Sequence, residues 1–225
     1  SLRPRYFLYC LLWFVYQVYC GIYLGLLLLV PLLVLFLISV LLFWSRYKIS
    51  LVNRKWLFLV LGSACFCGLL LLPLILPYLR VASDNYHFYK NVVISVPELS
   101  SRLFSRSGSY LWDFLSKVNY DHPSWWDDQL FAGGIALLSL LIAATLLVTG
   151  KYKVFFSAKK QAVFFRITII SGFICMAIFT RVGDLSLYKV LYKYMPGYAS
   201  MRTLQRFINI ELLFYATAVS FVFYM

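Results

Sequence analysis

Five apolar runs, at about 6–44, 56–78, 130–150, 162–180 and 207–225, constrain this chain more than any other feature of it. A helix needs roughly 20 apolar residues to cross the hydrocarbon core of a bilayer, and each of the last four runs is close to that length. The first is too long for one helix. It fits two placed back to back, with the turn near Cys20, Gly21 and Tyr23, where glycine relieves steric limits and tyrosine prefers the interface. The expectation is an all-α polytopic membrane protein, a single transmembrane domain over 1–225 with about six transmembrane helices, at about 6–20, 21–44, 56–78, 130–150, 162–180 and 207–225. The alternative for the first run is one span at 21–44 preceded by an interfacial helix at 6–20. Composition agrees, because a chain that is 63% hydrophobic with a mean hydropathy of +0.82 lies well beyond soluble usage. The segment 6–20 is not a signal peptide, since no small-residue cleavage site follows it and more spans come after. With Ser1 at its start and Met225 inside an apolar run, the sequence is expected to be a piece of a longer chain.

The formal net charge of +13 would point a soluble protein toward nucleic acid; here its distribution excludes that class. Arg46, Lys48, Arg54 and Lys55 fill one short connection, and Lys151, Lys153, Lys159 and Lys160 another, neither with an acid; both read as cytoplasmic. The loop 79–129 is mixed, five basic residues against six acidic, and reads as outer. Alternation places 181–206 outside too, although Arg181, Lys189, Lys193, Arg202 and Arg206 there face one acid, Asp184. Either earlier helices already set the orientation, or the cations hold an anionic ligand. Cys10, Cys20, Cys65, Cys67 and Cys175 fall in or beside apolar runs, without the partners of a zinc or redox site, and read as core filler.

Both outer loops carry signals for amphipathic surface helices. Ser95-Val96-Pro97-Glu98 has the form of a capping box for a helix over about 97–104. Tyr110, Leu111, Phe114, Leu115 and Val118 then share one side of a second helix, and Trp125-Trp126 returns the chain to the interface. In the second loop Asp184 can cap a helix whose stripe is Leu187, Tyr188, Leu191, Tyr192 and Met195, with Lys189 and Lys193 one turn apart on another face. Pro196-Gly197 ends it, and Ser200 can cap the last helix, where Arg202, Gln205, Arg206 and Asn209 form a polar face. Arg202 and Arg206 at a helix start, with Lys189 and Lys193 nearby in sequence, form a candidate phosphate site; the competing reading is that both arginines snorkel to headgroups. Glu211 is an acid within a span, where it acts as a functional acid or pairs with an interior arginine. Arg166 reads as snorkelling, and His87 and His122 as isolated loop histidines.

The order of LPLILPYLRV (72–81), SGSYLWDFL (107–115), DDQLFAGG (127–134) and YKVLYKYMPGYASMRTLQRF (188–207) resembles the carboxyl-proximal membrane part of GT-C class glycosyltransferases, notably YfhO-like bacterial membrane proteins. Pro196-Gly197-Tyr198 followed by Arg202 and Arg206 matches the family's stretch before its paired arginines; Ala132 stands where the family usually has proline. The resemblance implies transfer of a sugar from a polyprenyl-phosphate donor to a lipid- or wall-linked acceptor at the outer face of a bacterial cytoplasmic membrane. It implies that Lys189, Lys193, Arg202 and Arg206 bind the donor phosphate. Asp127 and Asp128 resemble the paired acids of such enzymes but stand at a different place in the order of spans; they read either as support for the substrate or a divalent metal, or as caps of the helix that follows. The catalytic acid is expected outside these residues. The rival classes are a transporter or flippase for a lipid-linked oligosaccharide and a non-catalytic membrane subunit. Soluble nucleotide enzymes are excluded, since no Walker sequence and no Gly-x-Gly-x-x-Gly occurs.

Overall fold

The structure, a computed structural model, describes residues 4–44, 54–84, 88–103, 105, 110–116, 130–156, 159–183, 185–195, 197–201 and 204–224. Asp127, Asp128, Asp184, Arg202, His87, His122 and Trp125-Trp126 lie outside them. The described residues are mostly helical, with one short hairpin, and they form two compact units. Four helical segments, Ile22–Leu42, Arg54–Val81, Lys159–Ile178 and Leu204–Tyr224, are long and apolar enough to cross a membrane.

Unit 1 comprises residues 1–86 and 196–200. Its helices are α1 (Pro4–Cys20), α2 (Ile22–Leu42) and α3 (Arg54–Asp84). The break between α1 and α2 is the single residue Gly21, in extended backbone conformation. Close by, a Cβ on Gly25 would stand 2.6 Å from Val18 Cγ2 and 2.9 Å from Val18 Cα, so the two helices meet only because that side chain is missing. Gly25→Val should therefore cost about 1–3 kcal/mol through overpacking. Thermal unfolding would check this, and an unchanged midpoint would show that α1 and α2 separate without loss.

Proline interrupts two of these helices, at Pro31, Pro73 and Pro77, and at the first two a tyrosine hydroxyl supports a carbonyl close by. Pro31 in α2 removes the donor for the Leu27 carbonyl, and Pro73 in α3 removes the one for Leu69. Tyr198 donates to the neighbouring Leu26 carbonyl, and Tyr19 donates to Leu70 O at 2.7 Å. Burial pushes the Tyr198 phenol above its ordinary value, which keeps it a donor. The turn that carries Tyr198 starts at Gly197, whose φ of +86° and close approach to Tyr78 exclude a side chain. Ser200 does not cap the last helix as its position predicts. Its hydroxyl is taken by Gly197 O at 2.9 Å and lies 3.4 Å from the Tyr78 hydroxyl, because a 3-10 turn over Tyr198–Ser200 folds it back.

Tyr19 meets α3 at Leu70, while Leu8 shares a cavity with Phe58, Leu59 and Gly62, so α1 and α3 run side by side in the same direction. On its other side α1 exposes Tyr6, Tyr9, Trp13 and Tyr16. Of the cysteines read as core, Cys67 and Cys175 are buried, whereas Cys10, Cys20 and Cys65 are exposed because they fall on outward helix faces.

Unit 2 comprises residues 87–195 and 201–225. Its elements are α4 (Tyr89–Val93), a 3-10 turn (Ser100–Leu103), α5 (Asp113–Ser116), α6 (Gly134–Thr149), α7 (Tyr152–Phe155), α8 (Lys159–Ile178), β1 (Arg181–Val182), β2 (Leu185–Ser186), α9 (Tyr188–Tyr194), a second 3-10 turn (Leu204–Phe207) and α10 (Ile208–Tyr224). Helices α6, α8 and α10 enclose the core, built from Leu140 and Ala143, from Phe165, Ile169 and Met176, and from Tyr215 and Ala218. Close approach of α8 and α10 depends on Gly172, whose Cβ would lie 3.0 Å from the Phe214 ring. Gly150, at φ +70°, ends α6 in the left-handed conformation that glycine adopts without strain. The basic connection after it is no free loop, since Tyr152 and Phe156 turn back to pack on Phe165.

Three local signals resolve differently from their sequence reading. The capping box is not formed: Ser95 Oγ donates to Val92 O at 2.8 Å, and the Glu98 carboxylate goes to Arg181. Long-range pairing wins over the local cap. The stripe of Tyr110, Leu111 and Phe114 is exposed, and Trp112 is the residue of α5's approach that packs, against Phe131 and Gly134. Helix α9 is preceded by Ser186, whose hydroxyl accepts from the Tyr188 amide at 3.2 Å, the kind of contact the sequence assigns to Asp184.

Candidate functional site

The segment 97–103 is held across the hairpin by backbone and side chain together. The Arg181 amide donates to Pro97 O at 2.9 Å, Glu98 bridges Arg181 in parallel, and Arg181 Nη2 donates to Glu98 Oε1 at 2.8 Å. The Leu130 amide adds a bond to Ser101 O at 3.1 Å. So placed, the three-residue period of the 3-10 turn buries Ser101 and Arg102 and leaves Leu103 exposed.

Arg102 there meets Glu211, which α10 carries in its first turn, where the positive end of the helix dipole favours an acid. Arg102 Nε donates to Glu211 Oε2 at 3.1 Å and Nη2 donates to Oε1, a two-point pair with side chains only 7% and 2% exposed. The sequence left Glu211 with two readings, and the structure shows it paired. Its partner comes from the 79–129 loop and not from another span. Nothing local marks Arg102 among the cations of that loop; what could have found it is its setting between Leu99 and Leu103 together with a span acid that needs a partner.

Beside the pair lies a cavity of about 780 Å³. Its walls are apolar: Leu137 and Leu140 from α6, Phe173 and Met176 from α8, Val182 and Leu185 from the hairpin. Arg102, Thr180, Ser186 and Tyr215 supply polar lining. Two of the three hydroxyls are already committed, Thr180 Oγ1 to Met176 O and Ser186 Oγ to Thr180 O at 3.2 Å. Arg102 Nη1 is not, being buried with no hydrogen-bond partner. An unmet buried donor costs about 1–3 kcal/mol. The arrangement suits an amphiphile: apolar walls for a chain and a guanidinium edge for its polar end.

Of the expected phosphate ligands, Lys189, Lys193 and Arg206 do not line this cavity, and Arg202 lies outside the described residues. Lys189 and Lys193 are exposed one turn apart on α9, Lys189 Nζ 5.8 Å over the Tyr89 ring and Lys193 Nζ 5.2 Å over Tyr194. Burial raises the Tyr89 phenol above its ordinary value, so that ring stays neutral beneath its cation. Arg206 is exposed in the second 3-10 turn and Asn209 in α10, but Gln205 is buried with its Oε1 lacking a hydrogen-bond partner. The polar face read for these positions is therefore split, Gln205 turning inward while Arg206 and Asn209 turn outward. Among the described residues no three His, Cys, Asp or Glu side chains group as metal ligands, and Asp127 and Asp128 are outside them.

Compared with known proteins, the chain matches no family model, no curated protein and no solved structure.

Proposed function

We propose that this chain is the membrane part of a glycosyltransferase that takes a sugar from a polyprenyl-phosphate donor and passes it to a lipid- or wall-linked acceptor. The observation that carries this reading is the apolar cavity of unit 2 with the Arg102 guanidinium in its wall. A lipid-linked donor needs a groove for its chain and cations for its phosphate. The cavity supplies the first, and Lys189, Lys193, Arg202 and Arg206 the second.

In this reading all six apolar helices cross the bacterial cytoplasmic membrane, and α1 crosses because it runs beside the long apolar α3. In the same reading Arg102, Thr180 and Ser186, which line the cavity, lie toward the outer face, opposite the basic connection 151–160. The transfer breaks the bond between the anomeric carbon and the phosphate oxygen and makes one to the acceptor hydroxyl oxygen, whose proton goes to a base. That base lies outside these residues. Asp127 and Asp128 stand in the outer loop to support the substrate or a divalent metal.

The test is transfer of radiolabelled sugar from a panel of polyprenyl-phosphate donors, with the full-length protein and Arg206→Ala side by side. The variant should insert normally and lose about tenfold or more in turnover, the worth of one charge-assisted hydrogen bond. Unchanged turnover would remove Arg206 from the site. No transfer from any donor by the folded protein would favour a flippase or a non-catalytic subunit.

A further inference from the structure

We infer that α1 is the seam along which two copies of this chain pair side by side in the membrane. Tyr6, Tyr9, Trp13 and Tyr16 follow one another at helical spacing, so they form one row along α1, and all four are exposed. Tyrosine and tryptophan gather at membrane interfaces, which accounts for the rings near the ends of the row. Trp13 is not explained that way. It stands near the middle of the 17-residue helix and is 70% exposed. The neighbouring α3 shows what a lipid-facing surface of this chain looks like: its exposed residues include Phe58, Leu61, Leu69, Leu72 and Leu76, whose side chains carry no polar atom. The row on α1 instead carries three phenol hydroxyls and an indole N–H, which lipid tails cannot satisfy.

A second copy is the occupant this row fits. A tyrosine hydroxyl both donates and accepts, so two identical rows satisfy each other, and copies that share one orientation bring equal depths together, ring against ring. Aromatic pairs add packing energy when they meet edge to face, the geometry that Trp13 and Tyr16 already hold within one copy, with centroids 5.8 Å apart at 90°. No like charges oppose the approach. From Tyr6 to Cys20 the sequence has no charged residue, and the Arg5 guanidinium lies 5.1 Å over the ring of its own Tyr6. A fully buried aromatic side chain hides about 150–250 Å², so four that are each more than half exposed offer about 500 Å² per copy. Two copies together reach about 1,000 Å², the size at which a specific interface begins. Between membrane helices, where apolar burial alone drives no association, packing and hydrogen bonds of this kind are what remain. The next position of the row is Cys20, exposed at the end of α1, whereas Cys10 lies to one side of the row and Cys65 on α3.

The inference rests on α1 crossing the membrane and not on sugar transfer, which none of its readouts involves. The experiment uses the full-length protein in phosphatidylcholine vesicles. A membrane-impermeant maleimide should reach Cys20 and an introduced Ser1→Cys from opposite faces; labelling from the same face would overturn the crossing of α1. Energy transfer between donor- and acceptor-tagged copies should show a dimer that dissociates as lipid is added. Trp13→Leu should weaken the pairing about tenfold or more, the loss expected of a central aromatic at an interface. Because Trp13 is exposed, that variant should unfold at an unchanged midpoint. Copper phenanthroline in air should join the copies through Cys20, two thiols giving two protons and two electrons to oxygen and forming one disulfide. The product should persist in Cys10→Ser and Cys65→Ser and vanish in Cys20→Ser. A monomer at every lipid ratio would overturn the second copy and assign the row to another membrane helix. A dimer that is indifferent to Trp13→Leu, or that fails to cross-link through Cys20, would overturn α1 as its seam.

Discussion

Arg102→Met should destabilise unit 2 by about 3–5 kcal/mol, because it leaves the Glu211 carboxylate buried without a partner. The combined replacement Arg102→Met with Glu211→Leu should recover most of that loss, since it removes both charges and fills the space with apolar groups. The contrast follows from where the pair sits. Both side chains are more than nine-tenths buried against apolar helices, so neither can turn to water when the other is removed. A double-mutant cycle on purified protein, read by thermal or denaturant unfolding, measures the coupling directly. Additive effects of the two single replacements would mean that the pair contributes nothing as a pair.

Phe179→Ala should cost a similar amount, about 3–5 kcal/mol, through the cavity it leaves. Phe179 is fully buried just past the end of α8, where its ring stacks on Phe207 with centroids 3.8 Å apart and an interplanar angle of 18°. On another side it meets Tyr188 at the start of α9, 5.9 Å away. One ring thus joins the exit of α8 to the entries of α9 and α10, and no neighbour can close over its loss without moving a helix end. Phe223→Ala, at an exposed ring of the same residue type, should shift the unfolding midpoint little. Equal shifts for the two variants would show that burial at this junction is not what holds it.

The two effects bear on function in different ways. Phe179 keeps the hairpin and α9 in place, and with them the wall of the cavity. Arg102 is itself part of that wall. A stability loss at Phe179 should therefore loosen several walls of the cavity together, whereas changes at the Arg102–Glu211 pair should act on one of them.

How much of this was legible in the sequence differs by element. The six helical places follow the apolar runs closely: the runs read at 6–20, 21–44 and 207–225 became Pro4–Cys20, Ile22–Leu42 and Ile208–Tyr224. The break at Gly21 fell where glycine and the interfacial tyrosines predicted it. The run at 130–150 matches less closely, because its helix, Gly134–Thr149, has only 16 residues, starting at the glycine that Trp112 covers. The site was less legible. Lys189, Lys193 and Arg206 attracted attention as cations crowded in sequence, yet the guanidinium that lines the cavity is Arg102, from a loop whose charges looked balanced.

By itself the sequence determined what depends on local composition and length: helices wherever about 20 apolar residues run together, and a turn where glycine permits it. Backbone hydrogen bonding and solvent alone decide those. Only the tertiary structure decided which polar group meets which. Ser95 and Glu98 had the right spacing to cap a helix, but Arg181, 83 residues from Glu98, offered the carboxylate a cation, and a bond with both partners charged adds Coulomb attraction that a backbone amide lacks. Glu211 had to be paired once buried, and any of several cations would have satisfied that need on paper. Arg102 is the one whose backbone, pinned to the hairpin through Pro97, delivers it to that depth.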